Sequence, residues 1–353
     1  MTTTDVSPTE QLAGRFLEAG IGAFELTTAL LGERLGLYRA LADGPVTAPA
    51  LAAAADADER YVREWCEQQA VAGLIAVDDP AAAPHDRRYG LLPGSEAVLL
   101  DELSPAYLVQ IGAFIESIGR VLPSLQEAFR TGAGVPFGDY GVQHAQAALN
   151  RPAYANQLVQ EWLPQLPDLE ARLRAGASVA EFGCGEGWAA IALATGYPQV
   201  QVEGFDADPP SIASARRHAE EAGVADRVQF TVADVADVEG RYDAVFAFEV
   251  LHDLARPVDA LRAAHRLTDG PVVVMDERVG ETFTAPGDPL ERFFYAASVL
   301  HCLPAGRCEH GSAATGTVMR PDTLRRYATE AGFAGVTVLP IEHDMFRFYL
   351  LER

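Results

Sequence analysis

A histidine and an aspartate stand side by side at His252 and Asp253, shortly after a β-rich run that ends at Phe248. Imidazole titrates near neutral pH, so a histidine can remove a proton from an acceptor group while a bond forms there. The same histidine could instead cap the helix that follows or pack beside a bound ligand. The pair therefore indicates acid–base chemistry without establishing it.

A glycine-rich loop, EFGCGEG at residues 181–187, connects a predicted strand to a predicted helix. Glycines let the backbone approach a ligand closely, and a helix N-terminus offers free N–H donors. Asp206 ends the next predicted strand, where a carboxylate can bind a ribose diol, and Asp234 ends the third. A pyrophosphate would lie beside the carboxylate of Glu186, which disfavours a dinucleotide. The loop therefore predicts a nucleoside ligand that carries positive charge.

The elements that position these residues follow from hydrophobic periodicity. After residue 176, short β-rich runs alternate with helical runs, which is typical of a parallel, doubly wound sheet. Residues 278–318 interrupt the alternation, and two strands after it predict an antiparallel hairpin. The predicted fold class is α/β: a Rossmann-like doubly wound sheet with a C-terminal antiparallel hairpin, preceded by an α-helical and winged-helix domain.

The first part of the chain has a different pattern. Residues 8–42 predict two helices broken near Gly20 and Gly22. Helix, turn, helix and a two-stranded ribbon follow, which is the outline of a winged helix. We expect three parts: residues 1–95 as a helical and winged-helix dimerisation domain, residues 96–165 as a helical linker and lid, and residues 166–353 as the Rossmann-like domain with a substrate-lid insertion at 278–318.

The motifs AEFGCGEG, EGFDAD, VADV and AFEVLHDL occur in an order and spacing that resemble the class I S-adenosylmethionine-dependent methyltransferases. The winged-helix outline is similar to the N-terminal domain of bacterial two-domain small-molecule methyltransferases. The resemblance implies a methyltransferase with S-adenosylmethionine as cofactor and a small-molecule acceptor, with O-methylation in specialised metabolism as the leading reaction. His252 would then be the general base, with Asp253 as the second catalytic residue.

The resemblance also implies which residues bind the cofactor. The three loop glycines would line its methionine part, Asp206 would hold the ribose hydroxyls, and Asp234 would face the adenine. Phe248 and Glu249 would lie near the sulfonium. The full implied set is Glu181, Gly183, Gly185, Gly187, Asp206, Ala207, Asp234, Val235, Phe248 and Glu249.

Aromatic side chains are frequent in residues 107–162 and in the insertion. Such residues more often belong to a core, but a lid over an apolar acceptor would also use them. The candidate acceptor-pocket residues are Tyr107, Phe114, Tyr140, Tyr154, Phe294 and His301.

His301 also raises a second mechanism. Two histidines and one carboxylate suit non-haem iron, and the bacterial phenylpyruvate C-methyltransferase is similar in carrying a His-Asp pair and a later histidine that hold iron. Such an ion would bind an α-keto acid and favour its enolate. The alternatives are therefore a metal-assisted C-methyltransferase with His252, Asp253 and His301 as ligands, and a methyltransferase-like protein with other chemistry. The leading prediction includes no metal.

The charge balance limits the partners. The chain has 50 acidic residues against 27 basic ones, all of them arginine, and a formal net charge of −23. Such a surface repels phosphate backbones and anionic lipid heads, and the helix between Asp58 and Gly73 that could read DNA has an acidic surplus. We expect a small-molecule acceptor and a second copy of the chain as partners, and neither nucleic acid nor a membrane. Four unevenly spaced cysteines, with no signal peptide or spanning segment, indicate a cytoplasmic protein.

Overall fold

The computed structural model describes residues 7–353. The chain divides into two compact units, one ending at Ser117 and one comprising Ile118–Arg353. The division into three parts at residues 95 and 165 stays a prediction. Within residues 7–353, no helix has both the length and the apolar character that crossing a bilayer requires.

The first unit contains the predicted winged helix. Its helices are α1 (Pro8–Arg34), α2 (Leu37–Leu41), α3 (Ala48–Ala54), α4 (Glu59–Val71) and α5 (Glu96–Leu99), and its strands are β1 (Val46–Thr47), β2 (Ile75–Val77) and β3 (Arg88–Leu91). The strands form an antiparallel sheet in the order β1-β3-β2. α3, α4 and the β2–β3 ribbon confirm the helix-turn-helix and wing. A further helix, α6 (Ile111–Thr131), begins near the end of this unit.

The predicted break at Gly20 and Gly22 is wrong, because α1 runs through both glycines for 27 residues. A capping box closes its N-terminus: the Ser7 hydroxyl accepts from the Glu10 amide, and the Glu10 carboxylate accepts from the Ser7 amide. A glycine inside a helix costs about 1 kcal/mol relative to alanine, which does not end a well-capped helix. The chain turns instead at Gly36, whose φ of 69° is left-handed.

The second unit holds the Rossmann-like domain. Its helices are α7 (Phe137–Tyr140), α8 (Gln143–Ala153), α9 (Pro167–Arg174), α10 (Trp188–Gly196), α11 (Pro209–Glu221), α12 (Pro257–Leu267), α13 (Pro289–Ala297), α14 (Leu303–Gly306) and α15 (Pro321–Ala331). Its strands are β4 (Ser178–Phe182), β5 (Gln201–Asp206), β6 (Val228–Val232), β7 (Ala244–Phe248), β8 (Val272–Glu277), β9 (Gly335–Val338) and β10 (Phe346–Glu352). Short 3₁₀ turns cover Leu163–Gln165 and Val235–Asp237.

The seven strands form one sheet in the order β6-β5-β4-β7-β8-β10-β9. β4 to β8 are parallel, whereas β10 pairs antiparallel with both β8 and β9, which confirms the predicted C-terminal hairpin. Side chains alternate between the two faces of a strand. Phe246 therefore packs in the apolar core on one face of β7, and Val245 packs in the core on the other.

Two segments of the second unit are π-helical. Tyr154–Trp162 follows α8, and Ser298–Cys302 follows α13. π-helical turns are rare and are often found at functional sites. The second segment brings His301 and Cys302, adjacent in sequence, into the interior together, since both side chains are buried.

Candidate active site

A cavity of about 370 Å³ lies at the carboxyl ends of the parallel strands. This edge is where doubly wound sheets bind ligands. The residues lining it include nine of the ten predicted cofactor residues, namely Glu181, Gly183, Gly185, Asp206, Ala207, Asp234, Val235, Phe248 and Glu249. One face of the α8 segment adds further lining residues that the sequence analysis did not assign to the cofactor: Gln143, Gln146, Ala147, Asn150 and Tyr154.

The three loop glycines have different surroundings. A Cβ on Gly183 would lie 2.2 Å from Cγ2 of Val250, so the loop touches the segment that follows β7. A Cβ on Gly185 would meet no atom within 4 Å, because this glycine borders the open cavity. Gly187 lies outside the lining, and its Cβ would clash with Phe230 at 2.5 Å. It serves packing and the start of α10.

Glu181 and Asp206 are the carboxylates at the ends of β4 and β5. The Asp206 carboxylate accepts hydrogen bonds from the amides of Gly185 at 2.8 Å and Asp208 at 2.9 Å. Burial raises the pKa of Asp206 against these donors. Burial also raises the pKa of Glu181 to about 8, and the Ala190 amide opposes that shift. Among the described residues, Oε2 of Glu181 is buried without a hydrogen-bond partner, so it can accept from a ligand.

Asp234 is tied to an arginine that sequence reasoning missed. One carboxylate oxygen accepts from the Ala236 amide at 2.9 Å, and the other pairs with the guanidinium of Arg256. Arg256 also lies 3.5 Å from the carboxylate of Glu309 in the insertion. Both residues line the cavity. No motif marks Arg256, since a loop arginine is ordinary in a chain whose basic residues are all arginine.

His252 lies in a cluster of carboxylates. Its Nδ1 is 2.9 Å from Oδ1 of Asp276 and 3.0 Å from Oε2 of Glu277, and its Nε2 is 3.3 Å from Oδ1 of Asp253. The side chain of His252 is 2% exposed and lies outside the cavity lining, whereas Asp253 is part of the lining. Burial disfavours the imidazolium, but Glu277, Asp253 and Asp276 outweigh burial and raise the pKa of His252 well above its ordinary value.

The sequence predicted Asp253 but not the carboxylates on Nδ1. The available signal was Asp276 and Glu277 at the end of the run VVVMDE, where a charged pair would be buried among valines. Paired acids in such a run need a partner. The sequence could not show that His252, on another strand end, is that partner.

His301 is buried on the second π-helical segment. The ring of Tyr140 packs edge-on against it at 4.7 Å, and the hydroxyl of Tyr140 donates to the Leu300 carbonyl. Burial lowers the pKa of His301, because it disfavours the charged form of the ring. Tyr140, Phe294 and His301 do not line the cavity, because all three are packed in the interior instead.

Two groups of three potential metal ligands have donor atoms within 4.8 Å of one another in residues 7–353: His252 with Asp253 and Cys302, and His252 with Asp276 and Glu277. Neither group includes His301. Cys302, the next residue in the sequence, belongs to the first group instead. Oδ1 of Asp253 is buried and has no hydrogen-bond partner among the described residues.

Glu249 follows β7 and has a φ of 51°, the left-handed region that favours glycine. Its carboxylate accepts a hydrogen bond from the Asn150 amide of α8. Burial raises the pKa of Glu249 to about 7, His252 acts against that shift, and Asp276 adds to it. The sequence did not single out Asn150, because one amide in a helix carries no motif.

The three remaining residues predicted for the acceptor pocket lie in different units of the chain. Tyr154 lines the cavity, and its ring stacks on Phe248 with centroids 6.2 Å apart. Tyr107 and Phe114 belong to the first unit. The hydroxyl of Tyr107 there accepts from the Gln110 amide at 3.2 Å. The acceptor role of all these residues stays a prediction.

Known proteins resemble the chain in both units. Residues 173–291 match the family model of a methyltransferase domain, and residues 22–101 match that of a Rv2258c-like winged helix-turn-helix domain. The ubiquinone biosynthesis O-methyltransferase of Pseudomonas aeruginosa is 30% identical over 191 residues, which cover 54% of this chain and 76% of that enzyme. The chain belongs to the class I S-adenosylmethionine-dependent methyltransferases. A second methyltransferase relative, the 27-O-demethylrifamycin SV methyltransferase of Amycolatopsis mediterranei, is 35% identical over 98 residues, 27% of this chain and 36% of that enzyme.

Solved methyltransferase structures share the complete two-part architecture. The mitomycin 7-O-methyltransferase superposes with a TM-score of 0.69 at 20% identity, covering 98% of this chain and 100% of that one. Human N-acetylserotonin methyltransferase, solved with S-adenosylmethionine, superposes with a TM-score of 0.66 at 17% identity, covering 100% and 99%. At these identities the likeness shows the fold.

S-adenosylmethionine, the cofactor of this methyltransferase family, supplies an electrophilic methyl group on a sulfonium. The cavity fits it on three grounds. Gly185 leaves open space beside the loop, Glu181 offers an unpartnered acceptor, and Asp206 places a carboxylate at the end of the neighbouring strand.

Proposed function

We propose that this methyltransferase transfers the methyl group to a hydroxyl of a small specialised metabolite, with His252 as general base and Asp253 beside it at the cavity wall. The assignment of His252 as the base is supported by the carboxylates that fix the orientation of its ring. Asp276 and Glu277 lie against Nδ1, which leaves Nε2 directed at Asp253 and the cavity side. Carboxylates on the far nitrogen orient an imidazole and stabilise the imidazolium that forms when it takes a proton. The similarity to a rifamycin methyltransferase and to the mitomycin 7-O-methyltransferase supports a specialised-metabolite acceptor.

The test replaces the base while it keeps the cofactor site. His252→Gln and Asp253→Asn are compared with the unchanged enzyme on a panel of hydroxylated aromatic and polyketide acceptors, with S-adenosylhomocysteine release as readout. We expect His252→Gln to lower kcat about 100-fold, because general-base catalysis contributes 10²- to 10⁴-fold. The S-adenosylmethionine Kd should stay within about twofold, since His252 does not line the cavity. Near-full activity of His252→Gln would refute the base assignment.

A metal-assisted C-methylation of an α-keto acid is the second candidate. It is favoured by the short separations between the donor atoms of His252, Asp253 and Cys302. His252 and Asp253 would hold a divalent ion, with His301 or Cys302 as the third ligand, and the ion would stabilise an enolate. Metal analysis of the purified protein, before and after chelation, separates the two candidates. Stoichiometric iron that His301→Ala or Cys302→Ser removes would support the metal. Protein that is metal-free and active on hydroxyl acceptors would refute it.

We propose that the chain acts as a cytoplasmic homodimer joined through α1. The exposed apolar side chains of α1 and of its C-cap residue are Leu12, Phe16, Leu17, Ile21, Phe24, Leu31 and Leu35. Leu17, Ile21, Phe24, Leu31 and Leu35 follow the spacing of a heptad seam, which another helix covers in coiled coils. Because these side chains are exposed, we expect the same helix of a second copy of the chain to cover them.

The winged helix is proposed to contribute structure and no DNA recognition. On α4, Arg60 pairs with Glu64 at 2.5 Å and Arg63 with Glu59 at 3.5 Å. Arg87 on the wing pairs with Glu67 at 2.7 Å. Arginines neutralised by glutamates offer little to a phosphate backbone. Binding to duplex DNA at low salt in a mobility-shift assay would contradict this proposal.

A further inference from the structure

Glu249 occupies a position that the fold holds under strain. β7 ends at Phe248, and the next residue adopts a φ of 51° although it is not a glycine. Non-glycine residues in this region cost about 1 kcal/mol or more and persist where function or packing requires them. The Glu249 amide donates to the Met275 carbonyl at 2.8 Å, which fixes the turn. This backbone conformation therefore fixes the position of the Glu249 carboxylate at the cavity wall.

That place lies beside the glycine loop. Val250, the next residue, lies so close to Gly183 that a Cβ there would approach it to 2.2 Å. Glu249 itself lines the same cavity as Gly183 and Gly185. A cofactor with its methionine part on the loop would therefore pass Glu249 between that part and the acceptor side, where Asp253 lies.

The carboxylate of Glu249 is held by a neutral hydrogen-bond donor. Its hydrogen-bond donor is the neutral side-chain amide of Asn150. His252 acts against the rise in the pKa of Glu249, whereas the like charges of Asp276 and Asp253 add to that rise. Asn150 holds the carboxylate in place without neutralising it. A positively charged ligand group would stabilise a half-buried carboxylate in this cavity more than a neutral group would.

S-adenosylmethionine and S-adenosylhomocysteine differ at one point, since the substrate has a methylsulfonium cation where the product has a neutral thioether. We propose that Glu249, positioned by Asn150, is the counter-charge of the sulfonium, and that it makes this enzyme hold its substrate more tightly than its product. Loss of the positive charge on methyl transfer removes that attraction and favours product release. The inference depends on the cofactor and is independent of the acceptor's identity.

The test is calorimetric titration of three probes at pH 8.5: S-adenosylmethionine, S-adenosylhomocysteine, and sinefungin, whose ammonium replaces the methylsulfonium. We expect S-adenosylmethionine and sinefungin to bind more tightly than S-adenosylhomocysteine in the unchanged enzyme. In Glu249→Gln the preference for the cationic probes should fall about tenfold, with the thioether Kd nearly unchanged. Asn150→Ala should lose part of the preference, because it frees the carboxylate to move.

Two controls keep the outcome decisive. Glu249→Gly removes the carboxylate while it relieves the left-handed backbone, so it should lose the preference with no loss of thermal stability. Glu170→Gln removes a carboxylate that lies outside the cavity lining and pairs with Arg174, and it should leave the preference intact. Equal weakening of all three probes in Glu249→Gln would overturn the proposal, as would a preference that survives in both Glu249 variants. Hydroxyl methylation by His252 could fail independently, since these titrations contain no acceptor.

Discussion

Oδ1 of Asp276 lies 2.9 Å from Nδ1 of His252, and both side chains are almost completely buried. The two residues come from neighbouring strand ends, Asp276 near the end of β8 and His252 just after β7. The contact decides which ring nitrogen is committed to the protein interior. The other nitrogen, Nε2, faces Asp253, which lines the cavity.

Removing this contact should impair catalysis without impairing cofactor binding. Asp276→Asn keeps the shape of the side chain but removes the charge that orients and stabilises the imidazolium, so we expect kcat to fall about 100-fold. The S-adenosylmethionine Kd, measured by calorimetry, should change less than twofold. Asp259→Asn, which removes an exposed pair with Arg262, serves as the control. A raised KM at unchanged kcat would contradict the positioning role.

Cofactor affinity should depend on pH through Glu181. Its pKa in the folded protein is about 8, above the ordinary 4.5. Below pH 8 the carboxyl is protonated, whereas contact with the positive methionine end of the cofactor favours the carboxylate. Binding therefore releases a proton, and affinity should rise from pH 6 to pH 8 and level off above it.

Titrations in buffers of different ionisation enthalpy would measure that proton release, and Glu181→Gln should abolish it. The stability of the folded protein should change with pH in the opposite direction to the cofactor affinity. Between pH 4.5 and 8 the folded state binds more protons at Glu181 than the unfolded state, so the free energy of unfolding falls as pH rises. Affinity that is flat with pH in the unchanged enzyme would contradict the assignment.

Alanine at Gly183 and alanine at Gly185 should both weaken cofactor binding, but only the first should also lower the stability strongly. Gly183→Ala places a Cβ 2.2 Å from Val250 at a φ of 65°, so we expect a loss of about 2 kcal/mol in stability as well as weak cofactor binding. Gly185→Ala meets no protein atom within 4 Å and costs only about 1 kcal/mol for its φ of 51°. Its methyl group projects into open cavity, so the S-adenosylmethionine Kd should rise about tenfold or more while thermal denaturation changes little. The reverse ranking in stability would show that the loop packs differently.

The α1 surface should determine the oligomeric state. Phe16 is 73% exposed and Phe24 is 76% exposed. Changing both to aspartate places charges in the proposed interface, so sedimentation equilibrium should show monomers where the unchanged chain shows dimers. Glu18→Ala, at an exposed polar position of the same helix, should remain dimeric. A monomeric unchanged chain would refute the homodimer.

The fold could be predicted from the sequence because its signals are local. Alternating strands and helices, the glycine loop and the closing hairpin each depend on residues adjacent in the chain, and the structure has all three. The misplaced break in α1 shows the limit of such signals. Glycine weakens a helix at Gly20 and Gly22, but the Ser7–Glu10 capping box and the length of the helix outweigh that effect.

The site was predictable only where its residues belong to a motif. Asp206 and Asp234 end predicted strands, so their place at one edge of the sheet follows from the topology. Asn150, Arg256 and Asp276 come from a helix, a loop and a buried strand, and only three-dimensional folding brings them to the cavity or to His252. The same reason explains Cys302: a π-helical turn, which has no sequence signature, sets it closer to the His252–Asp253 pair than His301.

The strand that completes the site is the last one of the sheet. β10 inserts between β9 and β8, and its register pairs Phe346 with Glu277 and Arg347 with Asp276. On the ribosome, β8 emerges with an open edge and keeps it until β10 has been translated. A nascent chain that stops short of Phe346 would therefore carry the glycine loop and the histidine, yet lack the backbone that fixes the carboxylates around that histidine. Until β10 is in place, the sheet is incomplete, and the carboxylates around His252 lack one of the strands that hold them.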